Sequence, residues 1–192
     1  MRDYLQNGIL RYQKMVEDEY LVGSVDAAAN LVFRALLEGK PVLVCGNGGS
    51  ASDALHISGE LVGRFNFTRP ALNVICLNSN VTVMTAWAND VDYDSVFSRQ
   101  VEAHGVPGGV FWGLSTSGSS TSVVEGFHAA TRMGMSTIAF TGESGGRLAH
   151  GPDVLVNVPA VEAAHVQELH IPLYHYVCAE VERRIVAEQP PS

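Results

Sequence analysis

Runs of basic residues are missing from this chain. Its 192 residues carry 12 Lys and Arg against 20 Asp and Glu, a formal net charge of −8. An acidic protein without a local cluster of cations repels phosphate backbones, which argues against nucleic acid and anionic membranes as partners. Cysteine is scarce too. Cys45, Cys76 and Cys178 are odd in number and widely spaced, so they form no disulfide framework, and each reads as a small buried core residue. The N-terminus has no apolar run like a signal peptide, and no stretch approaches the roughly 18–20 apolar residues of a membrane span. These absences lead us to expect a soluble, reduced, cytoplasmic protein. There is no internal repeat and no low-complexity segment. Only Gln189-Pro190-Pro191-Ser192 reads as a frayed tail.

The composition that remains is globular, with 46% hydrophobic and 17% charged residues. We expect one domain over residues 1–192, made of an N-terminal helical segment (1–40), an α/β core (41–188) and the tail (189–192). Leu5, Ile9, Leu10, Tyr12 and Val16 recur near helical spacing. So do Val25, Ala28, Leu31, Val32, Leu36 and Leu37, with Ser24 or Asp26 as cap and Gly39 as stop. The pattern then changes to short apolar runs, at residues 41–45, 73–77, 110–114, 136–140 and 154–158, each followed by a Gly- or Ser-rich turn or helical sequence. A final helix runs to about Glu188. Five such units predict a flavodoxin-like, doubly wound parallel sheet, whose ligands sit at the carboxyl ends of the strands.

Two of those strand ends are chemically distinctive. After the first strand comes Gly46-Asn47-Gly48-Gly49-Ser50-Ala51-Ser52-Asp53, where close backbone approach and a helix start suit an anion. It matches neither the dinucleotide fingerprint nor a Walker loop. After the third strand comes Ser115-Thr116-Ser117-Gly118-Ser119-Ser120-Thr121-Ser122, with seven hydroxyls in eight residues. Hydroxyls and backbone N–H groups hold a phosphate monoester without lysine or arginine. His56 and Glu60, four apart, share one helical face. Gln167 and His175, eight apart on the final helix, lie about 80° from each other around its axis, so both can look into one cleft. Pro172 between them removes an N–H donor and crowds the carbonyl of Glu168, which predicts a kink.

Taken together, Gly46–His56, Gly59–Phe65, Ala88–Asp90, Phe97–Gln100, Ser115–Gly118, Thr141–Gly146 and Gln167–His170 resemble the sugar isomerase (SIS) domain family, and within it the branch that acts on a heptose phosphate. The resemblance covers nearly the whole chain. It implies a homotetramer with active sites between subunits, and conversion of sedoheptulose 7-phosphate to D-glycero-D-manno-heptose 7-phosphate. That reaction is the first step toward the nucleotide-activated heptose of lipopolysaccharide core and other surface glycans. It further implies that Ser115, Thr116, Ser117 and Ser120 hold the phosphate. Asn47, Gly48, Gly49, Ser50, Asn89, Asp90, Glu60 and Gln167 would line the sugar site. Glu60 and His175 would be the acid/base pair, and His56, Glu60, Gln167 and His175 would bind one Zn²⁺ per subunit. Three other readings stay open: a non-catalytic SIS tetramer that binds the replication initiator, a sugar-phosphate sensor, and an isomerase of a shorter sugar phosphate.

Overall fold

The computed structural model describes residues 1–188, so the expected tail at 189–192 lies outside the described residues. The chain opens with α1 (Arg2–Glu17) and α2 (Glu19–Leu37). Neither Ser24 nor Asp26 caps α2. The helix starts earlier, because Asp18 alone separates it from α1 and accepts from the Leu21 N–H at 3.0 Å, which leaves Ser24 and Asp26 inside the helix. Its end follows the sequence. Lys40 N–H bonds back to Ala35 and Gly39 N–H to Leu36, the paired bonds of a glycine-terminated helix.

One expectation about α2 needs correction. By length and composition it is the one described helix apolar enough to cross a membrane. Its charged residues are few, and Leu21, Val25, Ala28, Val32 and Leu36 supply the apolar run. Those same residues are buried in the core, where α2 packs on α7 and β5, as a core helix does.

Five strands follow: β1 (Val42–Gly46), β2 (Val74–Cys76), β3 (Val110–Ser115), β4 (Ser136–Thr141) and β5 (Val154–Asn157). All pairings are parallel and the order is β2-β1-β3-β4-β5, the flavodoxin-like arrangement. Between and after them lie α3 (Gly49–Val62), α4 (Val81–Asp90), α5 (Val96–His104), α6 (Thr121–Arg132) and α7 (Ala163–Ala187). Alternate strand residues feed two cores. Val42, Val44, Trp112 and Phe140 pack with α2, α3 and α7; Leu43, Cys45, Phe111 and Ala139 pack with α5 and α6. Every residue of β1 and β3 is buried, which is why both read as unbroken apolar runs. The three cysteines are free and buried. The strand order reverses between β1 and β3, so a crevice opens beyond their carboxyl ends, where the glycine-rich and serine-rich loops emerge.

Candidate active site

The loop after β1 turns straight into α3. Gly48 stands at the N-cap with φ 58°, a conformation that glycine adopts at little cost, and no side chain caps the helix. In the first turn the Ser50 and Ala51 N–H groups bond back to Asn47 O and Gly48 O, each at 3.1 Å. Asn78 braces the turn, accepting from Gly46 N–H at 3.2 Å and donating to Gly46 O at 2.8 Å. Ser50 is buried beneath Gly46, whose missing side chain lets α3 fold back this closely.

The serine loop after β3 meets it. Asn47 Nδ2 donates to Ser120 Oγ at 2.7 Å and Ser122 Oγ at 2.9 Å, tying the two loops across the switch point. Ser120 is the N-cap of α6, but its hydroxyl caps nothing in that helix, so α6 also presents free N–H groups. Within the loop, Ser115 Oγ accepts from Ser120 N–H at 3.4 Å and Ser117 Oγ from Ser119 N–H at 3.2 Å. Gly118 (φ 61°) lies so close to the loop after β4 that a Cβ there would come within 1.9 Å of Gly145 O. A Cβ on Gly146 would in turn strike Ser117 O at 2.2 Å. The two loops are locked together by what these glycines lack. The uncapped N-terminus of α6, the α3 dipole and a ring of hydroxyls together suit a doubly charged anion.

The titratable cluster lies further along α3, on its face toward α7. His56 Nε2 is 3.0 Å from Glu60 Oε1 and 3.5 Å from His175 Nε2. One ligand atom from each of the three lies within 4.8 Å of the others, and two imidazoles with a carboxylate form a normal donor set for a zinc-type ion. The donor chemistry therefore fits a metal. Burial, and next the neighbouring His56, lower the His175 pKa against the pull of Glu60. Gln167, expected as a fourth ligand, is two turns away from His175 along α7. Its amide rests on Gly49, where a Cβ would come within 2.5 Å of Nε2. Asn89 and Asp90, expected in the sugar site, end α4 in exposed positions, and Asn89 Nδ2 donates to Asp90 Oδ1 at 2.8 Å.

Several residues here escaped the sequence reading. Tyr93 donates to Asn47 Oδ1 at 2.6 Å and so holds the loop-bridging amide. Arg147 Nη1 reaches Thr121 Oγ1 at 3.4 Å, placing a cation at the head of α6. Tyr174 Oη lies 3.0 Å from His56 Nδ1, and buried Asp53 sits behind it. Burial pushes the Asp53 carboxyl up to about 6, against the influence of His56 and a hydrogen bond from Tyr174. The side chains of Arg69 and Glu182, both fully buried, pair at 3.2 Å. Arg69 Nη2 also donates to Glu60 O at 2.9 Å, fastening the end of α3 that carries Glu60. Only Asp53 lies in a motif singled out by the sequence, as the last residue of the glycine-rich run, and its role, like those of the others, comes through a partner distant in sequence.

The fold and this site define a class, and comparison with known proteins agrees. The family model described as SIS domain matches residues 3–142. The phosphoheptose isomerase of Synechocystis sp. is 40% identical over 189 residues, 98% of this chain and 97% of that protein. That of Akkermansia muciniphila is 39% identical over 190 residues, 96% of this chain and 98% of that protein. The structure of phosphoheptose isomerase GmhA from Neisseria gonorrhoeae superposes with a TM-score of 0.87 at 37% identity, covering 95% of this chain and 96% of that one. One from Francisella tularensis gives 0.89 at 30% identity, with the same coverage. The chain belongs to the phosphoheptose isomerase family of SIS-domain proteins.

Proposed function

We propose that this protein interconverts sedoheptulose 7-phosphate and D-glycero-D-manno-heptose 7-phosphate, the entry to nucleotide-activated heptose for lipopolysaccharide core or surface glycans. We read residues 1–192 as one SIS domain. The observation that carries the activity is the convergence of His56 and Glu60, on the helix that starts at the anion site, with His175 of α7 on one point of the cleft. The full acid/base set favours an enzyme over a non-catalytic adaptor.

The reaction moves a proton between C1 and C2 and another between their oxygens, through an enediol. Glu60 removes the carbon proton and returns it to the neighbouring carbon. His175, largely neutral at pH 7 because its pKa is lowered, serves the two oxygens. Ser115, Thr116, Ser117 and Ser120, with the first N–H groups of α6, hold the phosphate and so fix one end of a flexible open chain. Asn47, Gly48, Gly49, Asn89, Asp90 and Gln167 would face the sugar, and Ser50 would support the turn. His56, Glu60 and His175, with Gln167 if its side chain swings from Gly49, would hold Zn²⁺. When bound, such an ion would polarise the carbonyl and stabilise negative charge on oxygen.

Turnover of sedoheptulose 7-phosphate by the purified protein tests this. Glu60→Gln and His175→Ala should each lower kcat by about 100-fold or more. Near-normal turnover in both would overturn the assignment. Replacing Ser115, Ser117 and Ser120 with Ala should chiefly raise KM, and an unchanged KM would remove the phosphate role. Metal analysis of protein purified without a chelator, followed by assay after chelation, tests zinc.

A homotetramer with shared sites is part of this proposal. From Gly49 to Glu60 is about 16 Å along α3, a long reach for one heptose phosphate, which supports a site completed by a second copy.

A further inference from the structure

Behind His56 the structure holds a polar pair that the isomerisation steps leave unused. Tyr174 is 1% exposed and Asp53 is 7% exposed. Tyr174 Oη lies 3.0 Å from His56 Nδ1; burial raises the tyrosine pKa, and the Asp53 carboxylate is close enough to raise it further electrostatically. Asp53 Oδ2 is buried with no hydrogen-bond partner, so the Tyr174 hydroxyl has only to turn toward it to satisfy it. The far nitrogen of the same imidazole, Nε2, points at Glu60 and at His175 Nε2.

A tyrosine hydroxyl has one proton, so this arrangement can be satisfied in two ways. In the first, Tyr174 donates to Nδ1, Nε2 carries the imidazole proton toward Glu60, and Asp53 keeps no donor. In the second, Tyr174 donates to Asp53, Nδ1–H donates to the Tyr174 oxygen, and Nε2 is left as a lone pair. The first strands a buried carboxylate. The second sets two acceptors, His56 Nε2 and Glu60 Oε1, 3.0 Å apart, but Glu60 is 23% exposed at the side chain, so water can serve both. Burial therefore decides for the second.

We propose that Asp53 and Tyr174 are positioning residues that set the tautomer of His56, so that it presents Nε2 unprotonated to Glu60 and His175. This rests on the reading of His56, Glu60 and His175 as the working cluster. It gives the α7 residue beside His175 a task of its own: orienting a histidine on a different helix. A lone pair at that nitrogen is the form a metal ligand needs, and a hydrogen bond to its other nitrogen fixes the ring.

The test is a ¹⁵N–¹H correlation spectrum of the His56 ring at pH 8 in metal-free protein, for wild type and Tyr174→Phe. Wild type should show a protonated Nδ1 and an unprotonated Nε2, and Tyr174→Phe should shift population to the Nε2–H form. A wild-type Nε2–H tautomer, or a pattern unmoved in the variant, overturns the proposal. Asp53→Asn, which keeps the shape and removes the charge, should shift the ring the same way if Tyr174→Phe fails to fold; an unmoved ring there also overturns it. Zn²⁺ affinity, measured by competition with a chromophoric chelator, should fall about 10–100-fold in Tyr174→Phe. If wild type binds no Zn²⁺, the metal part of the proposed function fails while the spectrum still tests the tautomer.

Discussion

His170 shows how much one side chain can couple this fold to pH. It is fully buried on α7; its Nε2 donates to Thr141 O at 3.1 Å, and its Nδ1 has no partner. Burial holds its pKa down to about 4, only partly offset by the Thr141 carbonyl. The folded protein keeps the ring neutral where the unfolded chain, with a pKa near 6.5, would protonate it. The unfolded state thus binds more protons between those values, and stability is lost as pH falls from 6.5 toward 4. Urea unfolding should find about 2 kcal/mol less stability at pH 5 than at pH 7 from this residue. In His170→Gln that part of the pH dependence should disappear. At this scale the sequence discloses residues whose neighbours are local. Glu60 follows His56 by one turn, and the serines of 115–122 are contiguous. Tyr174 and Asp53 look bland because their meaning comes from a contact between α3 and α7 across 121 positions, and no periodicity carries that.

At the scale of elements, α7 and the segment after α3 depend on buried polar work. Glu182 accepts from the backbone N–H groups of Phe65 at 2.8 Å, Asn66 at 2.5 Å and Phe67 at 3.0 Å, besides pairing with Arg69. Burial alone would raise its carboxyl pKa, but these donors and Arg69 outweigh it and hold the group below the usual range. That contribution is present above the unfolded value and is lost as pH falls through the folded one. Glu182→Gln leaves Arg69 buried and unpaired and should cost about 3–5 kcal/mol in urea unfolding. Because Arg69 also holds the carbonyl of Glu60, the folded fraction should lose turnover too.

The strands, helices and their order were readable because buried parallel strands are continuous apolar runs bounded by glycine and serine. The start of α2 was not, since Asp18 serves as cap only because α1 ends one residue before it. Pro172 was visible, but its remedy was not. α7 runs unbroken through it, and the carbonyl of Glu168, left without its N–H partner, accepts from Tyr12 on α1 at 3.3 Å. Tyr12→Phe should destabilise the protein by about 1 kcal/mol, read from the urea midpoint.

Across the whole molecule, α1 is unfinished. Of its residues only Met15 is buried, while Leu5, Ile9, Leu10 and Val16 are all more than half exposed. Between α1 and α7 runs an apolar cleft of about 650 Å³, lined by Tyr4, Leu5, Ile9, Tyr12 and Pro172, that ends at His175. A surface like this suits a second copy, in keeping with the proposed tetramer. Leu5→Glu with Ile9→Glu should give a smaller species in light scattering at the same concentration. A sharper test of shared sites is complementation. Glu60→Gln co-expressed with a Ser117→Ala/Ser120→Ala chain should recover part of the turnover that each lacks alone. No recovery would mean that each chain completes its own site.

The glycine lock between the loops after β3 and β4 bears on how this protein can vary. Any side chain at 118 or 146 meets main-chain atoms of the opposite loop, so neither loop can be redrawn by itself. A library that randomises residues 115–120 while leaving 142–148 untouched should return glycine at 118 in nearly every folded clone. Altering the anion preference of this scaffold therefore means exchanging both loops in a single step, as one inherited unit.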